Sequence, residues 1–250
     1  MTRVAVNGAA GRMGQTVVDT AADRDDLEIV VGFDVEAGEY QGVPIVADDV
    51  AATLAEHDVD VVVDFSIPES TLSLAEACAD AGVALVVGTT GFEEEEMAQL
   101  KDISERVAVL KATNFSRGIQ VLQRTVREAV RALDDYDLEL METHHNQKVD
   151  APSGTANTIL DVVQEERDVQ PVYGREGHAP READEIGVFA RRAGDIRGEH
   201  ELVLAGNDEV LSLSHRAEDR AVFAAGALDA AAWVDGREAD WYRFGEVVGS

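Results

Sequence analysis

Residues 4–14 read Val4-Ala5-Val6-Asn7-Gly8-Ala9-Ala10-Gly11-Arg12-Met13-Gly14. A short apolar run gives way to glycines, and a helical pattern opens before the last of them. Glycines at such a junction let the backbone turn tightly and come close to a pyrophosphate, while N–H groups at the helix start face the phosphate charge. The spacing is Gly-x-x-Gly-x-x-Gly instead of the common Gly-x-Gly-x-x-Gly, because position 10 is Ala10. Gly8, Ala9, Ala10, Gly11, Arg12 and Met13 are therefore candidate dinucleotide contacts. A ligand-free turn could use the same glycines, so the context decides. Asp34 ends the second strand pattern, 20 residues after Gly14, where an acid can accept hydrogen bonds from both ribose hydroxyls. Val35 and Glu36 follow, with no nearby arginine to neutralise a 2′-phosphate. NADH is favoured over NADPH.

Outward from this unit the pattern alternates. Strand candidates at 3–7, 28–34, 59–65, 84–87 and 107–111 are rich in Val and Ile and mostly lack polar alternation, as parallel strands buried on both faces do. Helical patterns at 12–22, 68–81 and 92–105 lie between them. Repetition of strand and helix argues for an α/β fold with a doubly wound parallel sheet. Further loops fall at the carboxyl ends of these strands, where open parallel sheets place ligands. Asp64-Phe65-Ser66-Ile67-Pro68, then Gly88-Thr89-Thr90-Gly91-Phe92, then Ala112-Thr113-Asn114-Phe115-Ser116 carry small or hydroxyl-bearing residues able to lie along a nicotinamide. Turn and cap chemistry would use the same residue types.

After Asn114 the grammar changes. A long helix at 116–133 leads to a strand at 137–143 and a helix at 155–166, and a Gly- and Pro-rich stretch, 171–180, precedes strand candidates at 185–191, 200–205 and 209–215. Strands joined by short loops read as antiparallel, which makes the second half an α+β domain. A last helix, 220–234, closes the pattern.

The chain has 250 residues, 21 basic against 50 acidic, and a net charge of −29. That charge repels nucleic acid. Its even spread, with arginine far outnumbering lysine, suggests adaptation to a very salty cytosol. Forty-five per cent hydrophobic content describes a folded globular protein, and the apolar runs fall short of the roughly 18 residues that span a bilayer. No secretion leader precedes the first strand, and Cys78 is the only cysteine, so a reducing cytoplasm is expected.

One run carries proton-transfer chemistry. Residues 142–155, Glu-Thr-His-His-Asn-Gln-Lys-Val-Asp-Ala-Pro-Ser-Gly-Thr, hold His144, His145 and Lys148, one of three lysines in the chain. Histidine exchanges a proton near neutral pH, and lysine can donate one or hold a carboxylate. Ser153-Gly154-Thr155 starts a helix whose N–H groups and hydroxyls can grip an anion, although Ser153 would cap that helix with or without a ligand. The combination points to a negatively charged substrate that must be protonated. A metal is not expected here, since adjacent histidines point apart and no third histidine or cysteine has useful spacing.

With these motifs in place, the chain resembles the 4-hydroxy-tetrahydrodipicolinate reductases of the diaminopimelate route to lysine. The resemblance runs nearly the whole length, through residues 6–14, 63–66, 88–92, 114–116, 142–156, 175–178, 194–200 and 223–228. It implies a Rossmann-type domain, 1–114 plus 220–250, with an inserted α+β domain, 115–219, that binds substrate and builds a homotetramer. It implies that His144 is the acid/base and Lys148 the proton donor. His145, Gly154 and Thr155 would hold the substrate's carboxylates, with Ser153 in the same loop. Gly8 to Met13, Asp34, Gly88 to Thr90, and Ala112 to Phe115 would bind NADH or NADPH. Hydride would pass to C4 of the ring, leaving an enamine to be protonated. This sequence departs from the family where Ser66 replaces the usual threonine and Thr143 the common alanine. Another nicotinamide enzyme, such as an aspartate or homoserine dehydrogenase, would share the layout but lack the double histidine and use a loop cysteine. A non-catalytic NADH sensor would need an effector surface that the sequence does not display.

Overall fold

Val61, Val62 and Val63 are all fully buried. Successive strand residues point to opposite faces, so both faces of their sheet must be covered. The computed structural model describes residues 1–47 and 49–249. The chain divides into two compact units, Met1–Ser116 with the segment from Arg220 onward, and Arg117–Asp219.

The first unit begins β1 (Thr2–Asn7), α1 (Arg12–Ala21), β2 (Leu27–Phe33), β3 (Gly38–Tyr40), β4 (Val43–Val46), α2 (Val50–Glu56) and β5 (Val61–Asp64). It continues with α3 (Pro68–Ala81), β6 (Ala84–Val87), α4 (Glu94–Ile103) and β7 (Val109–Lys111). The sheet order is β13-β7-β6-β5-β1-β2-β4-β3, with β13 (Trp241–Arg243) supplied by the C-terminal segment, and among the described residues only β3 runs antiparallel to its neighbour. Two apolar clusters cover the two faces. One gathers α1 and α7 (Ala221–Val234), through Val17, Val18, Ala227 and Ala231. The other gathers α2, α3 and α4, through Leu54, Leu74 and Leu100. Each buried Val or Leu contributes roughly 1.5–3 kcal/mol, so the valine-rich central strands anchor the unit. Helix boundaries follow local chemistry. Pro68 opens α3 and Gly82, at φ +70°, ends it. Glu93 and Glu96 form a capping box on α4. The strand order reverses between β1 and β5, which sets the ligand crevice at their carboxyl ends.

The second unit runs α5 (Arg117–Ala132), β8 (Asp137–His144), α6 (Gly154–Glu166), β9 (Gln170–Tyr173), β10 (Glu185–Arg192), β11 (Glu199–Ala205) and β12 (Val210–Arg216). Its sheet order is β12-β11-β8-β10-β9. Ile119, Leu122, Val126 and Val130 recur on one stripe of α5. They pack with Ile159 and Val163 of α6 against Leu138, Leu140, Ile186 and Leu202. The expected antiparallel arrangement holds only in part. β11 is antiparallel to β8 and β12, whereas β10 is parallel to β8 and β9. The reason is connectivity: α6 is a crossover between β8 and β9, and crossovers return the chain in the same direction. β9 overlaps the start of the Gly- and Pro-rich stretch, and α8 (Phe244–Val247) follows β13.

Candidate active site

In the first unit the glycine loop is built by close approach. A Cβ on Gly8 would stand 2.6 Å from the carbonyl oxygen of Phe65, and one on Gly14 would stand 2.2 Å from that of Gly8. Gly8 also holds φ +76°, where side chains are strained. The N-terminus of α1 has no side-chain cap at Gly11, so Arg12 and Met13 start a helix whose dipole is open to an anion. Gly8 and Ala9 donate their amides to Phe33 O at 2.9 and 3.1 Å, and the Ala9 methyl is in the core. The amides of these two residues are thus spent within the protein, and a ligand at this turn would meet its shape and not their N–H groups.

Asp34 is tied to this loop. Its Oδ2 accepts from Ala10 N at 2.8 Å and its Oδ1 from Val35 N at 2.8 Å. A carboxylate oxygen has two lone pairs, so each keeps one for a hydroxyl. Beside it lies a cavity of about 350 Å³ lined by Gly8, Asp34, Val35, Ser66, Ile67 and neighbours, with no lysine or arginine among the described residues. The loop, the uncapped helix and the carboxylate together fit a dinucleotide.

The opposite side of this edge is welded by Asp64, which is fully buried. Its Oδ1 accepts from Asn7 Nδ2 (2.7 Å) and Ser66 Oγ (2.6 Å), and its Oδ2 from Thr71 Oγ1 (2.6 Å) and Thr89 Oγ1 (2.7 Å). Thr89 Oγ1 in turn accepts from Ser66 N at 2.8 Å. Lys111 donates to Thr89 O at 3.2 Å and sits 5.0 Å from the Phe92 ring centre. Burial pushes its ammonium down in pKa against the pull of Asp64. Gly88 lies against the Phe65 ring, Thr90 and Thr113 are exposed, and Ala112 and Asn114 are half-buried. Phe115 is 2% exposed and stacks edge-on with Phe65 and Phe244. Its ring therefore supports the wall from behind.

In the second unit Glu142 and His144 share one face of β8. Glu142 is 1% exposed. Its carboxylate accepts from Arg192 Nη1 (2.8 Å) and Nη2 (2.7 Å), from Ser153 N (3.1 Å), and from His144 Nδ1 (2.6 Å). Burial alone would raise Glu142, but the hydrogen bonds from Arg192 and His144 outweigh it and hold its pKa below the usual carboxylate range. Burial lowers the pKa of His144, opposed by Glu142 and helped by Lys148 and Arg192. The imidazole is thus uncharged near neutral pH, with its proton on Nδ1 and a lone pair on Nε2.

Ser153 caps α6, its Oγ accepting from Ala156 N at 3.2 Å, and His200 Nε2 lies 3.0 Å from the same oxygen. Gly154 is exposed at the first turn, and Thr155 is buried beside it. Lys148 places Nζ 2.8 Å from Asp150 Oδ1, and His145 is half-buried where β8 ends. His144, Ser153 and the start of α6 thus meet around one carboxylate. No local sequence pattern marks Glu142, Arg192 or His200 as a group. Glu142 is the most legible of them, because it stands two residues from His144 on a strand. Arg192 and His200 arrive by sheet register, opposite His144 and Glu142 respectively.

Comparison with known proteins agrees along the whole chain. The family model for the dihydrodipicolinate reductase N-terminus matches residues 2–115, and that for the C-terminus matches 118–248. A 4-hydroxy-tetrahydrodipicolinate reductase of Haloarcula marismortui is 69% identical, covering 99% of both chains. Its namesake in Natronomonas pharaonis is 53% identical over 98% of this chain and 99% of its own. Among solved structures, a dipicolinate-bound dihydrodipicolinate reductase from Paenisporosarcina sp. TG-14 shares the fold, with a TM-score of 0.81 at 24% identity, covering 97% of each chain.

Proposed function

Since the chain belongs to the dihydrodipicolinate reductase family, we propose that its reaction runs with NADH as the favoured donor, Lys148 as proton source and His144 as a neutral relay. The chain catalyses NAD(P)H-dependent reduction of 4-hydroxy-tetrahydrodipicolinate in the diaminopimelate route to lysine. When bound, the reduced nicotinamide supplies the hydride. The protein's own groups do the rest.

The substrate's carboxylates rest on the start of α6, where Gly154 and Thr155 contribute N–H groups and Ser153 and Thr155 hydroxyls, with His145 alongside. Lys148 carries three N–H donors and spends one on Asp150, leaving protons for the enamine formed by hydride addition. The observation that carries this division of labour is the 2.6 Å contact between Glu142 and His144 Nδ1. It keeps the lone pair of Nε2 available to accept and pass on a proton. Lys148→Ala and His144→Ala should each lower kcat by about 10²–10⁴-fold. Unaltered turnover in both would remove them from the chemistry.

Preference for NADH rests on Asp34, whose carboxylate would repel a 2′-phosphate beside a cavity without cationic lining. Steady-state rates with each cofactor test it: kcat/KM should favour NADH by about tenfold or more, equivalent to 1.4 kcal/mol, and parity would refute it.

A homotetramer is supported by the second sheet. Helices α5 and α6 cover one face of it. The other carries half-buried Met141 and Phe189 beside Tyr173, which is 63% exposed, around a cavity of about 410 Å³. Light scattering at several concentrations distinguishes this from a monomer. We place the enzyme in a saline cytoplasm: Cys78 is buried and unpaired, and no helix among the described residues is long and apolar enough to cross a membrane. With a net charge of −29, stability should rise with KCl as the screening length shortens from about 10 Å at 0.1 M to about 3 Å at 1 M.

A further inference from the structure

His200 stands on β11 at 3% exposure, opposite Glu142 in the sheet. Its Nε2 lies 3.0 Å from Ser153 Oγ. Its Nδ1 is sealed from solvent and has no hydrogen-bond partner among the described residues. The ring packs edge-on to His144, with centroids 5.2 Å apart and planes at 74°. Burial, then the proximity of His144, pushes its pKa down to about 3, with Glu142 opposing and His215 and Lys148 reinforcing. The imidazole is therefore neutral and carries one proton.

Where that proton sits decides what Ser153 can do. A serine hydroxyl has one proton and two lone pairs, and one lone pair already receives Ala156 N at 3.2 Å. If Ser153 donated to Nε2, the His200 proton would lie on Nδ1 as a buried N–H with nothing to bond, an arrangement rare in folded proteins. If His200 donates from Nε2, it fills the second lone pair of Ser153 Oγ. Only a ring lone pair is then left unmet, and the serine proton is turned away from both protein partners.

We infer that His200 is a positioning residue that donates Nε2–H to Ser153 and thereby orients the Ser153 hydroxyl as a donor to a substrate carboxylate. The inference rests on the reading of Ser153 to Thr155 as a carboxylate site. It gives Ser153 two simultaneous tasks, capping α6 through one lone pair and gripping the anion through its proton. His200 is what makes them compatible.

Three variants and one spectrum test it. His200→Leu removes the donor and should raise the KM for 4-hydroxy-tetrahydrodipicolinate about tenfold, the loss of one hydrogen bond to a charged group, with kcat changed less than about threefold. His200→Gln, whose amide nitrogen can stand near Nε2, should restore most of the affinity. In a Ser153→Ala background, His200→Leu should add nothing. Unchanged KM in His200→Leu, no rescue by glutamine, or full additivity with Ser153→Ala would each overturn the proposal. Nitrogen-15 spectra of the wild-type protein report the tautomer whether or not the variants fold, and a proton found on Nδ1 of His200 would also overturn it. If Ser153→Ala alone leaves KM unaltered, the carboxylate site itself is wrong. If it raises KM and His200→Leu does not, only the role of His200 fails.

Discussion

Glu142 Oε2 accepts from His144 Nδ1 at 2.6 Å while Arg192 binds both oxygens of the same carboxylate. The carboxylate is fixed before it meets the imidazole, so it sets both the tautomer and the plane of His144. Glu142→Gln keeps the shape but removes the charge that supports protonation of the ring. Turnover should fall by about 10²-fold or more with little change in KM, and any limb of the pH–rate profile that reports His144 should move to lower pH. A profile and kcat matching the wild type would show that His144 needs no orienting partner. Glu142→Ala goes further, stranding the Arg192 guanidinium, and should cost on the order of 3 kcal/mol in urea unfolding.

Stability should fall on acidification below neutrality. Burial lowers the pKa values of His144, His200 and His215, the second to about 3. Between about 6.5, the ordinary value, and the folded-state values, the unfolded chain binds protons that the folded chain refuses. The unfolded state then holds more protons, so stability rises with pH across that window and is lost as pH falls through it. Each histidine contributes up to about 1.4 kcal/mol per pH unit. Urea midpoints measured at high salt, where the carboxylate field is screened, should show this slope, and His200→Gln should make it shallower. A flat profile from pH 7 to about 5 would contradict the burial of these rings.

Gly198 controls the other side of His144. It holds φ +152°, and a Cβ there would lie 3.0 Å from His144 Nε2. The glycine cannot retreat, because its carbonyl accepts from Ala217 N at 2.9 Å. Gly198→Ala should therefore push the imidazole aside by a few tenths of an ångström and reduce kcat, by less than the about 10²-fold that a full ångström of misplacement costs. Cofactor affinity should be unaltered, as measured by NADH fluorescence titration. Wild-type kcat in a folded Gly198→Ala protein would show that the ring tolerates the methyl group.

Much of the fold can be read from Val61-Val62-Val63 and Leu85-Val86-Val87, because a strand buried on both faces must be apolar throughout. The hairpin of β3 and β4 was illegible, since Glu39, Tyr40 and Pro44 show neither alternation nor a continuous apolar run. β9 hid behind Pro171 and Gly174, yet it is an edge strand, where proline is tolerated. The mixed direction of the second sheet depends on which strands become neighbours, and loop lengths do not encode that. The site divides the same way. His144, Lys148 and Ser153 lie within ten residues of one another and were visible as a cluster. Arg192 and His200 reach Glu142 only through pairing across 50 and 58 positions, which no local pattern displays.

Asp64 offers a test of how far this edge of the sheet, proposed to face the cofactor, depends on one buried group. It receives donors from Asn7, Ser66, Thr71 and Thr89, which come from β1, the β5–α3 loop, α3 and the loop after β6. Three of these donors have alternatives, since Thr71 Oγ1 reaches Ile67 O at 3.1 Å, Asn7 Nδ2 reaches Ser70 Oγ at 3.1 Å and Ser66 Oγ reaches Ile67 O at 3.3 Å. Thr89, which is buried, loses its carboxylate acceptor, at about 1–3 kcal/mol for a buried group left unmet. Asp64→Ala should therefore destabilise by on the order of 3 kcal/mol and raise the KM for NADH, because Thr89 also holds Ser66 N. Thr71→Val, which deletes a single donor, should cost about 1 kcal/mol and leave KM alone. Equal effects of the two substitutions on stability and KM would mean that the carboxylate does not organise this edge.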